Sequence, residues 1–270
     1  MRNRATLAAV SVVTGALALT ALAVPAAQAA TTAGPAVTFS ELKVNSGKNV
    51  VVGTTTQVTV SATYTVTKPA TLAASSFQTG PVLYRGDTLG VNSDDLLLGD
   101  NPGTCTASSS TVLKCTAKIQ FRPDSTAEEG GLVNAEAGSW KLGALAAGDN
   151  GGLTWQSGFG TTKLQRRSTL TVNASPEPVK KGKTITVTGK LSRANWETNK
   201  YAGYASQYVK LQFRKAGTTT YTTVKTVKTS STGTLSTTVT ASADGYYRYS
   251  FAGTTTTPAV SATGDYIDVQ

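Results

Sequence analysis

The chain has 270 residues and a formal charge of +10, from 25 Lys/Arg against 15 Asp/Glu, with no histidine. That single absence excludes a Ser-His-Asp triad, a Cys-His dyad, a histidine zinc site and an imidazole general base. Two cysteines cannot build a thiolate metal cage, and 39% hydrophobic with 15% charged residues fits a globular β protein rather than a disordered one.

The N-terminus combines Arg2 and Arg4, an apolar run from Ala5 to Val24 and a small-residue Ala27-Gln28-Ala29 site. This order predicts a secretory signal peptide over residues 1–30. The Ala, Thr and Ser content of the run disfavours the alternative of a membrane anchor. The mature chain carries +8 and is expected to be soluble outside the cytoplasm, without membrane insertion. Residues 31–172 hold 11 Lys/Arg and 10 Asp/Glu, whereas residues 173–270 hold 12 and 5. Such asymmetry predicts two domains, 31–172 and 173–270, with Asn173 to Gly182 running into the second as a linker.

In the first half Val58, Val60, Ala62, Tyr64 and Val66 alternate with polar residues. Leu113, Cys115, Ala117, Ile119 and Phe121 repeat the pattern, and Trp140, Leu142 and Ala144 follow. Period two over this length marks half-buried antiparallel strands, hence a β-sandwich. Gly86 to Thr104 is a polar, glycine-rich excursion and predicts a long loop. Its Asp87, Asp94, Asp95, Asp100 and Asn101 could offer calcium oxygen ligands, although the EF-hand spacing is absent and solvated carboxylates are the alternative. Cys105 and Cys115 bracket a polar run with Ser108, Ser109 and Ser110 at its turn, so one hairpin disulfide is expected in an exported protein. Glu128, Glu129 and Glu136 complete the carboxylate stock for glycoside hydrolysis, but no aromatic groove is visible beside them. Neither an enzyme nor a required cofactor is expected.

The second half is clearer. Ile185, Val187 and Leu191, then Val209, Leu211 and Phe213, then Leu235 and Val239, then Tyr247, Tyr249 and Phe251 occupy alternate positions. Ile267 and Val269 finish the pattern. Val224 and Val227 cannot share a face without a bulge, which predicts an edge strand. Turn signals at Lys215-Ala-Gly217, Ser231-Thr-Gly233, Asp244-Gly245 and Thr263-Gly-Asp265 separate six or seven strands, again a sandwich. The run Ala243-Asp-Gly-Tyr-Tyr-Arg-Tyr249 resembles the start of strand F in immunoglobulin-like domains, where a tyrosine hydroxyl bonds back across the sheet corner.

On Ala174-Ser-Pro-Glu-Pro-Val-Lys-Lys-Gly182, Val209-Lys-Leu-Gln-Phe-Arg214 and Asp244-Gly-Tyr-Tyr-Arg-Tyr249 before Phe251-Ala-Gly-Thr254, the mature chain resembles the secreted immunoglobulin-like proteins of high-GC Gram-positive bacteria. The resemblance implies tandem immunoglobulin-like sandwiches outside a bacterial cell, in adhesive, spacer or binding roles. It transfers no site.

Two candidate binding features remain. Between two strands, the stretch from Trp196 to Tyr208 reads as an end loop, where Trp196, Tyr201 and Tyr204 could stack on sugar rings and Asn199 and Gln207 could bond hydroxyls. The bland alternative has Trp196 capping the core. Lys210, Arg214 and Arg248 should share one outward sheet face if their strands are neighbours, with Asp268 placed to neutralise one of them. The reading that follows is an exported, non-catalytic immunoglobulin-like protein acting at or near the cell surface. No nucleic-acid partner is expected, and two alternatives stand beside this reading: a calcium-binding secreted protein using the loop 86–103, and a binder of carbohydrate or anionic cell-wall polymer using the loop 196–208 and the basic second domain.

Overall fold

The computed structural model describes residues 32–93, 95–123 and 131–270, so the signal-peptide segment, Asp94, Glu128 and Glu129 lie outside the described residues. Among the described residues the chain is all-β, with three short 3-10 turns and no α-helix. In the first half the strands are β1 (Thr38–Val44), β2 (Val50–Val52), β3 (Val58–Thr67), β4 (Phe77–Tyr84), β5 (Leu96–Leu98) and β6 (Thr104–Ala107). They continue with β7 (Val112–Phe121), β8 (Gly138–Gly148), β9 (Leu153–Gln156) and β10 (Thr161–Arg166). Next come β11 (Ser168–Leu170), β12 (Asn173–Ser175), β13 (Thr184–Asn195), β14 (Lys200–Gly203) and β15 (Tyr208–Lys215). The last are β16 (Thr222–Lys228), β17 (Thr234–Thr240), β18 (Gly245–Phe251), β19 (Val260–Ser261) and β20 (Asp265–Ile267).

These strands gather into two compact units. The first comprises the described residues up to Gly47 with Val60–Gln120 and Lys141–Thr161; the second comprises Lys48–Thr59, Phe121–Trp140 and Thr162–Gln270. Composition suggests one cut near residue 172, whereas the folded chain gives the second unit two segments from earlier in the sequence.

In the first unit β1, β3, β7 and β6 form one sheet in that order, and β4 pairs with β8 and β5 in another. Alternation explains why. Val60, Ala62, Tyr64 and Val66 of β3, and Leu113, Cys115, Ala117, Ile119 and Phe121 of β7, are all buried while their polar neighbours mostly face outward. Each such aliphatic or phenyl side chain contributes roughly 1.5–3 kcal/mol on burial. The Tyr64 hydroxyl lies 3.0 Å from Thr79 Oγ1 on β4, giving this buried phenol a polar partner. The predicted long loop is not wholly loop. Leu96–Leu98 pair with Val82–Tyr84 as β5, because three consecutive leucines find an open sheet edge there. The disulfide forms as expected: Cys105 and Cys115 are direct cross-strand partners on β6 and β7 with Cα atoms 4.1 Å apart.

The C-terminal part of the second unit is an immunoglobulin-like sandwich. Strands β11, β12, β14 and β17 surround β13 in one sheet, and β16, β15, β18 and β19 with β20 form the other. In immunoglobulin terms β13 and β17 take the places of strands B and E, and β15 and β18 those of C and F. Ile185, Val187, Leu191, Val209, Leu211, Leu235, Tyr247, Tyr249, Phe251 and Ile267 fill the space between the sheets. The alternation of β13 has a gap at Gly189, where the Tyr249 ring would lie 2.8 Å from an added Cβ. The glycine is thus the hollow that receives the tyrosine. The edge strand is β16, as predicted, and the bulge is present: Leu211 faces Lys225 and Gln212 faces Thr223, so Val224 is skipped and stays exposed.

Within the run from Ala243 to Tyr249, the Tyr249 hydroxyl donates to the Val187 carbonyl at 2.8 Å, crossing the core to the opposite sheet. Burial pushes this phenol up to about 12. An unfolded tyrosine ionises near pH 10, so the stabilisation from keeping Tyr249 neutral is complete below pH 10 and lost as pH rises through about 12. Tyr249→Phe should cost about 1 kcal/mol at neutral pH through the lost hydrogen bond. Between roughly pH 10 and 12 its stability should fall less steeply than that of the parent protein, in denaturant titrations at stepped pH. Parallel slopes in that window would show that Tyr249 titrates freely.

Candidate functional site: a tyrosine and arginine sheet face

Antiparallel pairing sets Lys210 opposite Ser250, Gln212 opposite Arg248 and Arg214 opposite Tyr246, while Tyr246 faces Tyr266 on β20. The neighbouring strands required for a shared outward face are therefore in place, and Lys210, Arg214 and Arg248 all point away from the core. Phe213 and Tyr247, one residue out of phase, stack inward at 4.8 Å between ring centres.

The arginines are not bare. The Arg248 guanidinium lies 3.7 Å over the Tyr221 ring and donates from Nε to Gln212 Oε1 at 2.9 Å. Arg214 lies 4.1 Å over Tyr246 and 5.4 Å from Tyr221, and donates to the Thr218 carbonyl. Tyr266 extends the row, its ring centre 5.1 Å from that of Tyr246. Gly264 makes room beside them, since a Cβ there would meet the Tyr221 hydroxyl at 2.3 Å. Each stacked cation contributes roughly 0.5–1 kcal/mol at such half-exposed positions, enough to hold it in place without neutralising it. At the other end Tyr208 is 69% exposed with Lys228 at 5.8 Å. From Tyr208 to Arg214 the face runs about 20 Å along one strand.

Among the described residues no ion pair joins Lys210, Arg214 or Arg248 to a carboxylate. Asp268 instead acts on the rim: partial desolvation, then the Asp244 and Asp268 carboxylates, hold the Tyr266 phenol above its ordinary value. Sequence reasoning found the cations and missed the tyrosines. Tyr246 was legible, because it falls in phase with Arg248; Tyr221 and Tyr266 come from segments that alternation leaves ambiguous.

The other sequence candidates fare differently. Trp196 to Tyr208 is not a free loop, since β14 folds back on β13 with Tyr201 opposite Ala194. Trp196 is fully buried, its backbone N–H donating to Asn134 Oδ1 at 3.1 Å and its indole N–H to the Gly53 carbonyl at 2.9 Å. A sugar cannot reach it, which corrects the ligand reading. Tyr201 is 42% exposed. Tyr204 is half-buried, perpendicular to Phe251 and under the Arg193 guanidinium at 3.9 Å, so one face of its ring is already occupied. Gln207 is tied to Thr229 and Ala205.

The described calcium candidates, Asp87, Asp95 and Asp100, make separate local contacts. Asp87 pairs with Lys141 at 3.4 Å and Asp95 with Arg85 at 3.6 Å, and the Asp100 N–H donates to Gln120. Among the described residues no group of three or more acidic, cysteine or histidine side chains could hold a metal. Glu136 is buried, its backbone carbonyl accepting the Trp140 indole N–H at 2.8 Å and its carboxylate the Val133 N–H at 2.7 Å, both local structural bonds.

No protein-family model matches the chain, and no curated protein matches it. Among solved structures it is similar to the fibronectin(III)-like modules of Clostridium thermocellum CbhA, at 12% identity and a TM-score of 0.29, covering 84% of this chain and 92% of that one. It is also similar to a chimeric titin Z1Z2, at 12% identity and a TM-score of 0.25, covering 88% and 98%. Likeness at this level assigns no function, and the immunoglobulin-like description rests on the strand pairing above. Among the described residues no helix is long and apolar enough to cross a membrane.

Proposed function

We propose that this chain is an exported bacterial binding protein without catalytic activity, and that the outward face of β16, β15, β18 and β20 is its contact surface for an acidic cell-wall polymer. One observation supports the reading above all: Arg214 and Arg248 are half-buried over the Tyr246 and Tyr221 rings, and among the described residues no carboxylate pairs with either. Guanidinium groups supply bidentate donors to phosphate or carboxylate, and tyrosine rings supply faces for the sugars between them. The +7 balance of residues 173–270 would draw such a polymer in before contact.

The purified mature chain should be retained on wall preparations rich in anionic polymer and released steeply as salt rises, because exposed charges are screened over about 8 Å at physiological salt. The double variant Arg214→Ser with Arg248→Ser should lose most of that retention while its thermal unfolding moves little. Retention that ignores salt, or survives the double variant, would place the contact elsewhere.

A further inference from the structure

On the β13 end of the second unit lies a different cationic group, unrelated to the sheet face. Arg166 is only 7% exposed, yet among the described residues no carboxylate pairs with it. Its Nε donates to the Ala194 carbonyl and its backbone N–H to the Thr256 carbonyl at 2.9 Å, which ties it to both the Arg193 strand and the threonine run. Glu197 is the acid within electrostatic reach, but its two oxygens accept from the Asn134 side chain at 2.8 Å and backbone at 3.2 Å. Among the described residues no carboxylate lies within ion-pair distance of the Arg166 guanidinium, and the Glu197 charge reaches it only from further away.

The hydroxyl groups around them are oriented by the same logic. Arg193 is a donor only, so when its Nη1 approaches Thr256 and Thr257 at 3.4 and 3.5 Å those hydroxyls must accept, and their own protons are shared along the run, with Thr256 at 3.3 Å from Thr254 and 3.5 Å from Thr257, or given to an added acceptor. Thr257 is fully buried. The Tyr204 hydroxyl lies 3.4 Å from Thr254, in the same threonine run. Burial, then the Arg193 charge, pulls the Arg166 guanidinium down to about 10, which leaves it charged at neutral pH. A buried charge lacking a partner is costly, and an added anion is the direct remedy.

We infer that Arg166, Arg193 and the hydroxyls of Thr254 and Thr256 form a binding site for one tetrahedral oxoanion, phosphate or sulfate, free or as an ester. Donors arriving from β10, β13 and the threonine turn exceed what the two oxygens of a carboxylate can use, which favours the tetrahedral class.

The test is equilibrium dialysis of the full mature chain against labelled inorganic phosphate and sulfate, with chloride and acetate at matched ionic strength. One saturable anion per chain is expected for phosphate or sulfate and none for acetate. Arg193→Gln should weaken binding at least tenfold and Thr256→Val several-fold, with Thr256→Val standing as the readout should Arg193→Gln unfold. The Arg214→Ser, Arg248→Ser chain should bind the anion as the parent does, which separates this site from the sheet face. Absence of saturable phosphate and sulfate binding, equal binding of acetate, or binding unchanged in both site variants would overturn the inference.

Discussion

Replacing Trp196 with alanine should lower the unfolding free energy by about 3–5 kcal/mol, the range for truncating a large buried aromatic side chain. The indole is completely enclosed, so its removal leaves a cavity rather than a solvated notch. It also leaves the Gly53 carbonyl without its 2.9 Å donor, on a segment far earlier in the chain. Lost dispersion, lost apolar burial and an orphaned carbonyl act in the same direction. Trp196→Phe should recover much of the packing but not the hydrogen bond, and fall between the two. Tyr201→Ala, five residues on and partly exposed, should stay within about 0.5 kcal/mol. Urea titrations of the three variants decide the matter: a Trp196→Ala loss below about 1 kcal/mol would mean the site is open enough to repack or to admit a ligand.

Trp196 also shows where reading the sequence stops. Along β13 the buried positions are Ile185, Val187 and Leu191, and then Ser192 and Ala194, with Trp196 buried just past its end. The inward face changes phase at Leu191 and Ser192, where pairing passes from β17 to β14 and β11. Period two identifies that a strand exists but not which side is covered after such a change. The cover comes from Gly53 and Asn134, which no local pattern connects to residue 196. By contrast, β3, β7, β15 and β18 were legible almost residue by residue, because each buries one face along its whole length. The outward cations were legible for the same reason. Their tyrosine partners were only half so, since Tyr221 precedes its strand and Tyr266 sits in a short one, where alternation has too few positions to register. Leu96–Leu98 escaped notice because an uninterrupted apolar triplet in a polar stretch carries no period at all.

Removing the disulfide in a Cys105→Ala, Cys115→Ala double variant should lower stability by about 2.7 kcal/mol, the chain-entropy value for an eleven-residue loop. Little native packing disappears, since the two residues are already paired across β6 and β7 and would remain opposite each other as alanines. The effect should therefore reside mainly in the unfolded chain, which becomes more expanded without the crosslink. Two consequences separate this from ordinary core damage. The urea m-value of the double variant should rise, because unfolding exposes more surface. Reduction of the parent protein should reproduce both the stability and the m-value of the variant. Within the fold the change should be confined to β6, a four-residue strand at the edge of its sheet. Its amide protons should exchange faster while those of β3, in the sheet interior, keep protection close to the global value. A loss well under 1 kcal/mol with an unchanged m-value would show that the serine-rich hairpin turn already restricts the loop in the unfolded chain. The stabilisation would then have to be sought in the packing of Cys115, the buried half of the pair.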